Sequence, residues 1–140
     1  MTAGDTSWWC RRSRAAGERG ARRQSTIAEA MRASLSVADR AGVARVLRRE
    51  VTLLIDSGGR VDAPTEPLQG RRAAAVALCE LLRLGAASTS TISAVNGSPA
   101  IVFREAGEVI AVLALRLRRR KASEVWIVVN PDKLRHWNRP

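Results

Sequence analysis

Few side chains in this sequence are of the types that commonly carry out acid–base or nucleophilic chemistry. The 140 residues contain one histidine, His136, two cysteines and no tyrosine. Cys10 and Cys79 lie far apart, and neither has a histidine near it in sequence, so the spacing predicts no metal site. The best candidate for a general base is Asp56, which ends an apolar run and precedes two glycines. We therefore expect no catalytic residue, no metal and no cofactor.

Two short polar motifs each end an apolar segment and are better suited to binding than to catalysis. They are Asp56-Ser57-Gly58-Gly59-Arg60 and Asn130-Pro131-Asp132-Lys133-Leu134. Glycine permits the positive φ of a tight turn, and asparagine followed by proline is typical of a helix start. Arg60 and Lys133 can donate hydrogen bonds to carboxylates or carbonyl oxygens, and Asp56 and Asp132 can accept them. On the residues alone, the first motif is either a plain turn at the end of a strand or part of a docking surface for another protein, and the second is either a simple helix cap or part of the same surface.

The charge balance suggests an acidic partner but does not establish one. The formal net charge is +11, and arginine outnumbers lysine 22 to 2, as a GC-rich coding sequence would give. The positive charge is spread along the chain and aromatic residues are few, which argues against direct DNA binding because single-strand binders need stacking platforms. No apolar stretch approaches the roughly 20 residues of a membrane span. We expect a cytoplasmic protein without a membrane partner.

The elements that position the motifs are predicted from hydrophobic spacing. Residues 26–47 show helical periodicity, either as two short helices or as one helix broken near Gly42. Residues 51–55 are β-branched and apolar, as expected of a strand. Residues 71–84 indicate a buried helix that stops at Gly85.

After Ser88 the hydrophobic period changes from helical spacing to alternation. Four strands are predicted, at 91–95, 99–104, 108–117 and 124–129. In the third strand, Val109 is expected to share one face with the alternating apolar residues up to Leu117. In the fourth, Trp126 points away from its neighbours and either lines a pocket or covers a helix. Helices followed by an antiparallel meander predict an α+β domain.

The densest basic cluster, 116–121, falls between the last two predicted strands. It is either a solvated hairpin end or a contact for acidic groups. Residues 1–25 show neither helical nor strand periodicity, so we predict a disordered basic tail followed by one domain over 26–140.

The order of elements and motifs resembles a known family. Helix, strand, Asp56–Arg60, helix, meander and Asn130–Leu134 are similar to the SnoaL-like C-terminal domain of extracytoplasmic-function RNA polymerase sigma factors. The resemblance covers residues 51–137 and implies the cone-shaped fold of nuclear transport factor 2 (NTF2). Ser57 stands where the family usually has glycine, which should preserve the turn unless that position needs a positive φ.

The resemblance also implies a function and partners. Asp56, Gly58, Gly59 and Arg60, with residues 130–134, would dock onto the sigma regions or core polymerase and so tune transcription initiation, without catalysis. No sigma regions fit into the first 50 residues, so the chain would be the remnant of a longer gene or would act in trans. The alternative is a stand-alone SnoaL-like protein that binds or converts a small apolar ligand. A homodimer is a further possibility.

Overall fold

The computed structural model describes residues 25–59, 63–85, 87–95 and 98–138. Within these ranges the chain forms four helices and six strands. The helices are α1 (25–36), α2 (Arg40–Val46), α3 (Arg71–Leu81) and α4 (Pro131–Asn138). The strands are β1 (Leu47–Asp56), β2 (Leu68–Gln69), β3 (Ser88–Val95), β4 (Ser98–Glu105), β5 (Glu108–Arg118) and β6 (Lys121–Val128). None of these helices has the length and apolar content that a bilayer crossing needs.

All six strands belong to one sheet in the order β2-β1-β6-β5-β4-β3. The predicted meander is confirmed, because β3, β4, β5 and β6 pair antiparallel in succession. The curved sheet that the cone-shaped fold implies is not antiparallel throughout, since β1 lies parallel to β6. The helix and strands between them form the long crossover that a parallel pair requires. The sheet is therefore mixed, and the fold class is α+β as predicted.

Apolar side chains cover both faces of the sheet. The larger cluster joins α1, α2 and α3 to one face, and includes Met31, Val43, Leu78 and Phe103. A smaller cluster on the other face is closed by Leu134 of α4. Residues 1–25 were predicted to form a tail, and of these only residue 25 lies within the described ranges.

A β-bulge changes the predicted face of one residue. Phe103 pairs with Ala111 but Arg104 pairs with Val109, so one residue of β5 has no partner on β4. An extra residue reverses the side-chain alternation on one side of it. Val109 consequently lies in the smaller cluster, whereas Ala111 and Leu113 lie in the larger one. The prediction that Val109 shares their face is wrong for this reason.

The break between the first two helices lies before Gly42 rather than at it. Residues 37–39 separate α1 from α2, Ala38 adopts φ 53°, and Asp39 caps α2 by accepting a hydrogen bond from the Gly42 amide at 3.0 Å. A Cβ at Gly42 would collide with the Ser34 Oγ and the Asp39 carboxylate. Gly42 is thus required for the close approach of α1 and α2. The two-helix alternative is confirmed.

Candidate functional site

The parallel pairing of β1 and β6 brings the two polar motifs together. Asp56 is the last residue of β1 and lies opposite Val128, the last residue of β6. The Val129 amide donates to the Asp56 carbonyl oxygen at 2.8 Å, which extends the ladder by one step. The chain then enters the second motif directly. Motifs separated by some 70 residues in sequence are therefore neighbours at one end of the sheet.

An ion pair joins the two motifs. The Lys133 Nζ lies 2.7 Å from the Asp56 Oδ2. The Asn130 amide nitrogen donates to the other carboxylate oxygen of Asp56 at 3.4 Å. The Asp56 side chain is 2% exposed and that of Lys133 is 26% exposed, but the Lys133 Nζ and the Asp56 Oδ2 are both buried, so only the aliphatic part of the lysine reaches water. We refer to Asp56, Asn130 and Lys133 as the latch.

The turn after β1 is shaped to fit against the latch. Gly58 has φ 63°, and a Cβ placed on it would lie 2.5 Å from the amide group of Asn130. Gly59 has φ 75° but faces open space. The Ser57 Oγ accepts from the Gly59 amide at 3.2 Å, and Ser57 is not among the residues with a positive φ. Serine is therefore compatible with this turn, as the sequence led us to expect.

Asn130 starts α4 as well as contacting Asp56. Its side-chain oxygen accepts from the Asp132 amide at 3.1 Å, and its carbonyl oxygen accepts from the Lys133 and Leu134 amides, both at 3.1 Å. Asp132 in the first turn has the charge that a helix N-terminus favours. The predicted helix start is thus confirmed. Because one asparagine contacts Asp56 and caps α4, the latch fixes the position of the helix.

Only part of the two motifs is accessible to a partner. Asp56, Ser57, Asn130 and Leu134 are buried and stabilise the fold. Gly58, Gly59, Pro131 and Asp132 are exposed, and Trp137, one turn after Lys133, is an exposed apolar residue. Arg60, which was predicted to belong to the docking surface, lies outside the described residues.

Trp126 lies away from the helical face of the sheet. It is 8% exposed and packs in the smaller cluster with Val128 and Leu134. Leu134 belongs to α4, so Trp126 lies between the sheet and this helix.

The side chains that could take part in catalysis or metal binding have the following surroundings among the described residues. They contain no cluster of three or more histidine, cysteine, aspartate or glutamate side chains able to hold a metal ion. Burial raises the pKa of the Cys79 thiol, with a smaller opposing effect of Arg40, so Cys79 is held in its unreactive protonated form. The Asp56 carboxylate, the best candidate for a base, is already paired with Lys133.

The basic cluster 116–121 divides into residues with different surroundings. Arg116 faces Glu124 at 3.5 Å. Arg119 and Arg120 form the hairpin turn with φ 52° and 70°, and Lys121 lines a groove beside α2 and α3. The groove could not be predicted from the sequence, because its cationic residues come from three separate elements. The adjacent arginines 71 and 72 are the one local feature that points to it.

Comparison with known proteins supports the fold. No family model matches the chain, and no curated protein sequence matches it. Solved structures do: the extracytoplasmic-function sigma factor SigJ of Mycobacterium tuberculosis is 21% identical with a TM-score of 0.58. An NTF2-like protein of Mesorhizobium loti is 13% identical with a TM-score of 0.54, over 79% of this chain and 93% of that one. A candidate ketosteroid isomerase of Kribbella flavida is 14% identical with a TM-score of 0.51, over 77% and 78%.

These similarities define the class of fold. The chain has the NTF2-like, SnoaL-like α+β fold, with α1, α2 and α3 packed on one face of a cone-like sheet. The match to SigJ includes 80% of this chain but 44% of SigJ, so the chain spans less than half the length of that sigma factor. At identities of this size the shared property is the fold.

Proposed function

We propose that this chain is a non-catalytic regulatory domain of an extracytoplasmic-function sigma factor. It modulates transcription initiation through contacts with the DNA-binding sigma regions or core polymerase. The observation that carries the proposal is that the parallel pairing of β1 and β6 places exposed residues of both motifs, Gly58, Gly59, Pro131 and Asp132, at one end of the sheet. The similarity of the fold to part of SigJ supports it.

The surface beside the latch has the properties of a docking site. Its buried residues fix the backbone of the turn after β1 and of the first turn of α4. Its exposed residues, such as Asp132, then meet a partner without having to be ordered first, which lowers the entropic cost of association. Trp137 adds the kind of side chain that most often contributes strongly to protein interfaces.

The test is a binding measurement between the full chain and purified components of the source organism. Each extracytoplasmic-function sigma factor and the core polymerase would be passed over the immobilised chain. Charge reversal by Asp132→Lys, in the exposed part of the second motif, should weaken binding by about tenfold. Glu29→Lys is the matched control, because it makes the same charge change on α1, at the other face of the sheet.

The results separate the proposal from its alternative. Specific binding that falls with Asp132→Lys and not with Glu29→Lys supports it. Equal effects of both variants, or no binding to any sigma factor or to core polymerase, contradict it. The alternative, binding or conversion of a small apolar ligand, predicts instead that a hydrophobic compound raises the melting temperature of the chain by mass action.

A further inference from the structure

A groove lies between α2 and α3, with the start of β6 at one side. Its volume is about 480 Å³. Five cationic side chains form its rim, and they are Arg40, Arg45, Arg71, Arg72 and Lys121. Its floor is apolar, made of alanines from both helices together with Val76. We call it the basic groove.

The positive charge at the rim is only partly compensated. Arg40 approaches Glu80 at 3.9 Å and Arg45 approaches Asp39 at 3.6 Å. These four side chains are largely exposed, so each pair is weak. Arg71, Arg72 and Lys121 form no ion pair with any residue in the described ranges. The groove therefore concentrates positive charge around an apolar floor.

The floor indicates which kind of anion would fit. Ala75 is buried, and Ala44 and Val76 are half-buried, so small side chains leave an apolar concavity between the helices. No aromatic side chain lines the groove, which leaves nucleobases without a stacking surface. Aliphatic side chains flanked by carboxylates complement the groove better than a phosphate backbone does.

The N-terminal residues of this chain do not suit the groove. Residues 1–24 carry six arginines and two acidic residues, so like charges oppose their binding at this rim. The latch is also a separate surface, because Lys121 begins β6 and the latch lies just beyond its other end. We infer that the basic groove binds an acidic amphipathic helix of a partner protein, with its aliphatic side chains on the floor and its carboxylates on Arg71 and Arg72.

The experiment uses the full chain and a synthetic peptide of about 18 residues with leucines on one helical face and glutamates on the other. Binding is measured by fluorescence anisotropy, and we expect a micromolar Kd. The double reversal Arg71→Glu with Arg72→Glu should weaken it at least about tenfold and lower its salt dependence. The control, Arg83→Glu with Arg104→Glu, makes the same charge change outside the groove and should alter Kd less than about threefold.

A second variant tests the floor without changing charge. Ala41→Gln adds a polar side chain at an exposed helical position of the groove and should weaken binding several-fold, as should replacing the peptide leucines by serine. The inference is overturned if the peptide fails to bind or if both double reversals weaken its binding equally. It is also overturned if a DNA duplex displaces the peptide and the binding of the duplex depends more strongly on Arg71 and Arg72 than the binding of the peptide does. None of these outcomes bears on Asp132, so failure here leaves the proposed function untouched.

Discussion

Replacement of Lys133 by methionine is expected to destabilise the chain by about 3 kcal/mol. Removing one partner of a buried ion pair costs about 3–5 kcal/mol, because the other charge is left without compensation. The low end applies because the Asn130 amide remains as a donor to Asp56, at 3.4 Å, although both charged atoms of the pair are buried. For a domain of this size the melting temperature should fall by about 10 °C.

The assay is a double-mutant cycle in urea, followed by circular dichroism. Unfolding free energies are compared for the wild type, Lys133→Met, Asp56→Asn and the double variant. We expect a coupling energy of about 2 kcal/mol, since the double variant no longer buries a lone charge.

The control for this cycle lies on the same helix. Arg135 pairs with Asp132 at 2.9 Å, and both side chains are largely exposed. Arg135→Met should therefore cost less than about 0.5 kcal/mol. A coupling energy below about 0.5 kcal/mol between Asp56 and Lys133, or an equal cost for Arg135→Met, would refute the reasoning that burial makes the latch strong.

Three further predictions concern the backbone and the buried thiol. Gly58→Ala should destabilise by about 2–3 kcal/mol in chemical denaturation, because its Cβ meets Asn130 in addition to the strain of a positive φ. At Gly59 an alanine would meet the same strain of a positive φ, but its Cβ would point into open space. Gly59→Ala should therefore destabilise by only about 1 kcal/mol, and equal destabilisation by the two variants would contradict the packing argument. Arg120→Gly should raise the unfolding free energy by about 1 kcal/mol, because φ 70° suits glycine; an unchanged melting temperature would count against strain there. Burial raises the pKa of the Cys79 thiol in the folded chain. Above about pH 8.5 the thiol therefore ionises in the unfolded chain but stays protonated in the folded one. The free energy of unfolding consequently falls as the pH rises. Cys79→Ala should remove that fall, and parallel pH profiles would exclude this origin.

Hydrophobic periodicity predicted most of the elements because each is buried along a regular face. The strand read at 51–55 lies within β1, and the helix read at 71–84 contains α3. Their ends differ for local reasons. β1 begins earlier than predicted because it includes Arg48 and Arg49, whose side chains reach solvent. These charged residues lack the apolar pattern from which the start of a strand is predicted. Helix α3 ends at Leu81, before Gly85, and its last predicted turn is absent.

Features that depend on pairing between distant segments could not be read from the sequence. The parallel contact of β1 with β6 leaves no local pattern, because an apolar run fits either direction. The bulge that turns Val109 to the other face is likewise set by its partner strand. The sequence pattern predicts a turn in each motif, but the ion pair between Asp56 and Lys133 depends on the parallel register of β1 and β6. Charged residues at the ends of apolar runs indicate Asp56 and Lys133 as candidates, but they do not indicate that the two side chains are in contact.

The residues of the two motifs have two different roles, because some stabilise the fold and others are exposed to a partner. A resemblance in the motifs therefore does not by itself indicate a shared partner. Asp56 and Lys133 form a buried ion pair, so their presence is explained by folding and says little about a partner. Asp132 is exposed and pairs with the exposed Arg135, so folding demands less of its identity. Binding energy at interfaces is concentrated in a few accessible residues. A variant at Asp132 therefore tests the regulatory proposal more directly than a variant at Lys133, whose loss of binding would follow from loss of the fold.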